Sequence, residues 1–257
     1  MSALVDVQRT SSAVAVLTLN DPDRRNILSS ELVRDIATAL DELEATPGVQ
    51  ALVVTGTGTA FCAGAELETL ARAAEGDFGL IREVYSGFLR VLHSPLLTIA
   101  AVNGPAVGAG FNLALACDVR FAAESAQFIC RFAELNIFPG GGHTWMLSRA
   151  VGHQAAVGGL LLGQTWNAAD ALRIGLVAEV VAPDEAVVDV AAAAASRLAR
   201  LDPEYTRRLV RVLREAPLLD SHAAALEIEA THQKWSTRQP SFLDGLARIS
   251  SSVGRHR

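Results

Sequence analysis

The chain has 257 residues, of which 50% are hydrophobic and 19% are charged, and its formal net charge is −6. This negative charge argues against general nucleic-acid binding, which depends on a basic surface that contacts phosphates. No apolar run reaches the roughly 20 residues that span a bilayer, so we expect a soluble globular protein without a membrane segment.

The amino-terminal third alternates between strand and helix patterns. The first 30 residues lack a basic stretch followed by an apolar run, so we expect no secretory signal and a cytoplasmic location. Ala13 to Leu19 is β-branched and ends at a turn sequence, which predicts a strand. From Ser29 to Leu43 apolar residues recur every three to four positions, which predicts a helix. Ala51 to Thr55 is nearly all apolar, as in a strand buried on both faces.

The same alternation continues along the chain. The pattern predicts helical segments over 65–92 with a break around Gly76 and Gly79, a strand over 96–102, a glycine-rich turn over 103–110, a helix over 111–117, strands over 118–122 and 127–130, helices over 143–151 and 154–162, and a strand over 175–181. From Asp184 onward the periodicity is helical. We therefore predict an α/β core over residues 1–195 and a helical C-terminal region over 196–257.

The cysteines and the single lysine narrow the possible chemistry. Cys62, Cys117 and Cys130 lie in apolar sequence without CxxC spacing, so we expect reduced, buried thiols with a structural role. Lys234 is the only lysine, which leaves no P-loop or Schiff-base lysine in the first 233 residues. Contacts to phosphate would therefore come from arginines and backbone amides.

Two turns combine a preceding strand, small residues and the start of a helix: 58–67 and 103–112. Small residues let a ligand approach the backbone, and the first amides of a helix have no partner within it. Two such turns can converge on one oxygen atom. Each turn alone also fits an ordinary tight turn, and Gly108-Ala109-Gly110 partly fits a dinucleotide-binding loop, although Leu113 occupies the third glycine position of that motif.

Both turns together resemble the two signatures of the enoyl-CoA hydratase/isomerase (crotonase) family. The matching stretches are GTAFCAGAEL, IAAVNGPAVGAGFNLALACDVRFAAESAQF and FPGGGHTWMLSRAVG, and the order of motifs fits from about residue 10 to residue 190. The resemblance implies a spiral of repeated strand-strand-helix units, a helical C-terminal region, and trimers that commonly pair into hexamers. It also implies an acyl-CoA substrate that carries its own coenzyme A, with no separate cofactor and no metal.

The resemblance also implies a site for the thioester. Its carbonyl oxygen would be held by the backbone amides of Ala65 and Ala109, which stabilise the negative charge of an enolate. Arg24 and Arg25 would meet CoA phosphates, unless they are solvated beside Asp21 and Asp23. Further residues that we expect around the substrate are Ile27, Ala63, Gly64, Gly108, Gly110, Asn112, Phe132, Pro139 and Gly140.

The chain departs from the family at the two glutamates that activate water in hydratases. These positions hold Asn112, which cannot accept a proton from water, and Phe132, which offers an apolar wall. The substitutes that we consider are Glu134, on the side of Phe132 if the segment is extended, and His143, at a helix start. Each has a simpler alternative: a solvated carboxylate for Glu134 and a structural hydrogen bond for His143.

Three functions therefore stay open. The first is an acyl-CoA enzyme that would carry the name enoyl-CoA hydratase by resemblance. The second is an acyl-CoA-binding protein that has lost catalysis along with the glutamates. The third is another reaction of the family, such as isomerisation, decarboxylation or thioester hydrolysis.

Glu66, directly after Ala65, is expected to cap the amides of the following helix.

Overall fold

The computed structural model describes residues 4–183 and 185–253. Its strands are β1 (Val5–Arg9), β2 (Val14–Leu19), β3 (Ala51–Gly56), β4 (Leu97–Val102), β5 (Pro105–Val107), β6 (Val119–Ala123), β7 (Gln127–Ile129), β8 (Trp166–Asn167) and β9 (Glu179–Val181). Its α-helices are α1 (Ser30–Ala45), α2 (Leu67–Ala74), α3 (Gly79–Leu92), α4 (Ala109–Ala116), α5 (His143–Leu161), α6 (Ala168–Arg173), α7 (Val187–Ser196), α8 (Pro203–Glu215), α9 (His222–Ser236) and α10 (Pro240–Val253). Short 3₁₀ helices lie at Pro22–Arg24, Ala133–Leu135, Arg197–Arg200 and Ala216–Leu218.

Within the described residues, the larger sheet has six strands in the order β1-β2-β3-β4-β6-β9, and only its β1–β2 pair is antiparallel. Its central strands are buried on both faces, which explains their apolar runs. In β3, Leu52 and Val54 pack into the main core, while Ala51 and Val53 pack into a second cluster with α7. Helices therefore cover both faces of this sheet.

The chain winds in repeated strand-strand-helix units, as the family resemblance implied. One unit places β4 in the larger sheet, β5 in a three-stranded sheet of order β5-β7-β8, and then α4. The next unit repeats this with β6, β7 and α5. The α/β fold class with a helical C-terminal region is thus confirmed.

The structure corrects several sequence-based boundaries. Strand β1 was not predicted, and β5 lies inside the segment that was predicted as a turn. The predicted strand over 175–181 is shorter, because Gly175 has φ 76° and the strand begins at Glu179. The predicted break between two helices near residue 152 is confirmed, since Gly152 has non-helical angles (φ 77°, ψ 166°) inside α5.

Side chains of the core hold the C-terminal helices to the sheet. Gln50 donates from Nε2 to the carbonyl oxygen of Leu198 (3.0 Å) and accepts from the Thr206 hydroxyl (2.6 Å). The Arg214 guanidinium lies 2.6 Å from an Asp118 carboxylate oxygen.

The division into 1–195 and 196–257 stays a prediction. Within residues 4–183 and 185–253, none of the helices is long and apolar enough to cross a membrane.

Candidate active site

The two glycine-containing turns predicted from the sequence are joined by backbone hydrogen bonds. Phe61 and Cys62 both donate from their amides to the carbonyl oxygen of Pro105, at 3.1 and 3.2 Å. Val107 donates in return to the carbonyl oxygen of Cys62 (3.0 Å), and Cys62 bridges Ala106 in parallel. The turn after β3 therefore extends the sheet that contains β5, which fixes the two turns against each other.

Close approach of the turns depends on two glycines. Gly64 has φ 101°, and a Cβ there would lie 2.7 Å from the Val107 carbonyl oxygen and 3.5 Å from the Ala109 nitrogen. A Cβ on Gly110 would lie 2.1 Å from the Cys62 carbonyl oxygen. Both positions exclude larger residues because real Cβ atoms do not approach other atoms this closely.

The amides of Ala65 and Ala109 belong to the same cavity. Both residues line it, and within the described part of the chain neither amide donates to a protein acceptor. Ala109 is the first residue of α4, at the positive end of the helix dipole. Two unpaired donors at one apolar cavity can bind a single oxygen that carries negative charge.

The cavity has a volume of about 130 Å³, and most of its lining is apolar. The lining contains eight of the residues expected around the substrate: Ala63, Gly64, Ala65, Gly108, Ala109, Asn112, Phe132 and Gly140. Among the described residues, no carboxylate lines it. Pro139 instead lines a neighbouring cavity that shares Phe132, and Arg24, Arg25, Ile27 and Gly110 lie outside both.

Asn112 is held in one orientation by two partners. Its Nδ2 donates to the Gly140 carbonyl oxygen at 3.0 Å, and its Oδ1 contacts His143 Nδ1. A carbonyl oxygen only accepts hydrogen bonds, so the Asn112 amide nitrogen must face Gly140 and its oxygen must face His143. His143 Nδ1 therefore carries the hydrogen, and its Nε2 has a free lone pair.

That lone pair faces a thiol. His143 Nε2 lies 3.6 Å from Cys130 Sγ, and Cys130 lines the cavity. His143 itself is fully buried at the first turn of α5, with Phe132 packed edge-on at a ring separation of 4.8 Å. Burial lowers the pKa of His143 to about 4, so the imidazole is neutral at pH 7. His143 thus reaches the cavity through Asn112 and Cys130.

The segment at Glu134 is not extended, so the condition under which Glu134 would share the side of Phe132 is not met. Phe132 has helical angles (φ −66°, ψ −42°) and begins a 3₁₀ turn, so Glu134 does not share its direction. The Glu134 carboxylate is 62% exposed, lies 3.4 Å from Arg131 Nε, and is absent from the cavity lining. In this structure Glu134 is placed as a solvated carboxylate and not as a base at the cavity.

Glu66 also differs from the expectation. It occupies the N-cap position of α2, but its side chain makes no capping hydrogen bond. Instead its carboxylate pairs with Arg24 at 2.9 Å, and Arg24 pairs with Asp21 at 2.8 Å. Arg25 is exposed and has a left-handed backbone (φ 55°). The charge of Arg24 is therefore partly compensated before any phosphate is bound.

Sequence reasoning missed several cavity residues, and Tyr85 and Cys130 are the two among them that carry an ionisable hydroxyl or thiol. Tyr85 lies on α3, and a Cβ on Gly140 would be 1.9 Å from its hydroxyl oxygen. Its position among apolar residues of a helix gave no sign of a role in the cavity. Cys130 was expected to be a buried, reduced structural thiol; it is buried and free, but it also contacts His143. Its contact with His143 and its place in the cavity lining distinguish it from Cys62 and Cys117.

Comparisons with known proteins agree with this geometry. A family model described as enoyl-CoA hydratase/isomerase matches residues 9–249. A Mycobacterium tuberculosis protein named "Probable enoyl-CoA hydratase EchA14" is 45% identical, over 91% of this chain and 93% of its own length. The 1,2-epoxyphenylacetyl-CoA isomerase of Escherichia coli is 32% identical, over 94% and 93%. The crystal structure of an enoyl-CoA hydratase from Bacillus anthracis superposes with a TM-score of 0.89 at 29% identity, covering 97% of this chain and 96% of its own. The chain belongs to the enoyl-CoA hydratase/isomerase family.

Proposed function

We propose that the chain binds an acyl-CoA thioester in this cavity, with the carbonyl oxygen between the amides of Ala65 and Ala109. The observation that carries the proposal is that Gly64 leaves no room for a Cβ beside the Val107 carbonyl oxygen and the Ala109 nitrogen, so the two turns bring two unpaired donors to one apolar cavity. Chemistry beside a thioester puts negative charge on this oxygen, and fixed N–H donors stabilise that charge more than they stabilise the ground state.

Efficient hydration is not the reaction that this site favours. A hydratase positions water with two carboxylates, each of which typically contributes about 10²–10⁴-fold to the rate. Asn112 is engaged by Gly140 and His143, and Phe132 has no polar group. We therefore propose a reaction that uses the carbonyl oxygen without a carboxylate pair, such as an isomerisation or a reaction at the thioester itself.

Among the residues that the structure describes, none with a carboxylate lines the cavity, which also favours a second candidate, a non-catalytic acyl-CoA-binding protein. Turnover distinguishes the two functions. An enzyme converts at least one thioester, whereas a binding protein holds thioesters tightly and returns them unchanged.

The test compares Ala109→Pro with Ala109→Gly. Proline deletes the amide hydrogen at a first helical position, where its ring is tolerated, while glycine keeps the hydrogen. Crotonyl-CoA and a longer 2-enoyl-CoA are followed by loss of the conjugated thioester absorbance, and their binding is measured by calorimetry. Loss of one donor should cost about 3–4 kcal/mol of barrier in the proline variant alone. Equal behaviour of both variants would refute the placement of the oxyanion site.

Assembly, location and cofactor use also belong to this proposal. We infer trimers that can pair into hexamers, a cytoplasmic protein, and a reaction in which coenzyme A enters only as part of the substrate. Sedimentation of the purified chain tests the assembly. To test whether a metal or a separate cofactor is needed, the protein is dialysed against a chelator, and its turnover and its binding of acyl-CoA are then measured.

A further inference from the structure

Three side chains beside the proposed carbonyl site form a continuous chain of contacts. Cys130 Sγ meets His143 Nε2 at 3.6 Å, and His143 Nδ1 meets Asn112 Oδ1. The Gly140 carbonyl oxygen fixes Asn112, and Asn112 fixes the tautomer in which the basic nitrogen of His143 faces the thiol. A nucleophile, a base and a group that orients the base are the parts that activated thiols share.

Cys130 lies next to the turn that carries the Ala109 amide. Strand β7 pairs with β5 so that Ile129 is opposite Val107, and Gly108 donates to the Ile129 carbonyl oxygen at 2.9 Å. Cys130, the first residue after β7, therefore lies beside Gly108, the first residue after β5, and Gly108 directly precedes Ala109. Cys130 and Ala109 line the same cavity.

We propose that Cys130 is a nucleophile that takes the acyl group from an acyl-CoA, with His143 as its base and Asn112 as the residue that positions His143. This inference rests on the proposed function, because it needs a thioester carbonyl at the Ala65 and Ala109 amides. It adds a covalent step that the family resemblance did not imply.

The step is balanced by proton transfer within the three side chains. As Cys130 Sγ bonds to the thioester carbon, its proton moves to His143 Nε2 and the carbonyl oxygen becomes an anion held by the two amides. The carbon–sulfur bond to CoA then breaks, and the departing sulfur takes the proton from His143. Water hydrolyses the acyl-cysteine in a second round, so the sum is acyl-CoA and water giving a carboxylic acid and CoA.

Burial keeps the resting pair neutral. Burial raises the pKa of the Cys130 thiol to about 12 and lowers that of His143 to about 4, so the thiolate–imidazolium form is disfavoured before a substrate binds. The proton moves only as the new bond forms. The thiol is consequently slow toward a general alkylating reagent such as iodoacetamide.

The experiment uses butanoyl-CoA and octanoyl-CoA, which are saturated and therefore cannot be hydrated. Wild-type protein is incubated with each, release of the CoA thiol is followed, and samples quenched in acid are analysed by intact-mass and peptide mass spectrometry. We expect CoA release and an acyl adduct on Cys130. Cys130→Ala should abolish the adduct and lower release about 10²-fold or more, while Cys117→Ala, a change in another buried thiol, should leave both unchanged.

Two further measurements separate the possible failures. Binding of an S-alkyl-CoA thioether, which has no carbonyl, is measured by calorimetry for wild type and Cys130→Ala, and equal affinity shows that the variant keeps its cavity. If neither the thioether nor the thioesters bind, the proposed function and this inference both fail. If they bind but wild type neither releases CoA nor forms an adduct, only the nucleophile is refuted. If Cys130→Ala still releases CoA as fast as the wild type, the proposal that Cys130 is the nucleophile is also refuted.

Discussion

Replacing Gly64 by alanine tests how closely the two turns must approach. A Cβ at this position would lie 2.7 Å from the Val107 carbonyl oxygen, so the turn that carries Ala65 must move away from the turn that carries Ala109. The left-handed backbone (φ 101°) adds strain of about 1–2 kcal/mol. Misplacing one of the two donors should lower turnover by about 10²–10³-fold.

Gly76→Ala is the matched control for this variant. Gly76 has nearly the same backbone angle (φ 106°), but a Cβ there has no neighbouring atom within 4 Å. Both variants therefore place an alanine at a similar positive φ, and only Gly64→Ala pushes the turns apart. The assay measures thioester turnover, and the ratio of thioester to S-alkyl-CoA affinity, alongside urea unfolding of each variant. Equal turnover and an equal affinity ratio in the two variants would refute the argument that Gly64 sets the site.

Two predictions concern stability. Because burial lowers the pKa of His143 from 6.5 to about 4, the unfolded chain binds a proton in that pH window that the folded chain does not. The free energy of unfolding of the wild type should fall by up to about 3 kcal/mol as the pH drops through this window. In urea unfolding, the difference in this free energy between the wild type and His143→Gln should therefore be smaller at pH 4.5 than at pH 7. An equal difference at both pH values would contradict the prediction. Arg214→Met should cost about 3 kcal/mol, because Arg214 pairs with Asp118 at 2.6 Å with only 25% of its side chain exposed. Arg173→Met is the control, because it breaks an ion pair with Asp170 in which 71% of the arginine side chain is exposed. It should change the free energy of unfolding, measured with urea or heat, by less than about 1 kcal/mol. Similar losses of stability in Arg214→Met and Arg173→Met would disprove the difference between a half-buried and an exposed pair.

The sequence predicted those parts of the fold in which local pattern and burial agree. The apolar runs of β3 and β4 and the three-to-four-residue spacing of α1 correctly predicted these elements. Strand β5 escaped prediction because three residues carry too little periodicity to stand out from a glycine-rich turn. Strand β1 lies at the sheet edge, where only Val5 of its five residues is buried, so its pattern is weak.

Errors at the site arose where a distant partner decided the outcome. Glu66 fits a helix cap by position, but Arg24, 42 residues away, takes its carboxylate. Glu134 was placed by assuming an extended segment, whereas the backbone at Phe132 is helical. His143 meets Asn112 across 31 residues and Cys130 across 13, and spacings of this kind correspond to neither helix nor strand periodicity. The positions of Ala65 and Ala109 at one cavity could be anticipated, because motif order carried that information.

The contacts of Asn112 make its substitution dependent on the residues around it. A glutamate in its place would lose the donor to the Gly140 carbonyl oxygen and bring two oxygens together, while its charge would enter a pocket closed by Phe132 and His143. Replacement of Asn112 by a water-activating carboxylate is therefore opposed by the folding energy of this chain. A change toward hydration would pass through destabilised variants unless positions 112, 132 and 143 changed together, so we expect these three positions to vary as a set.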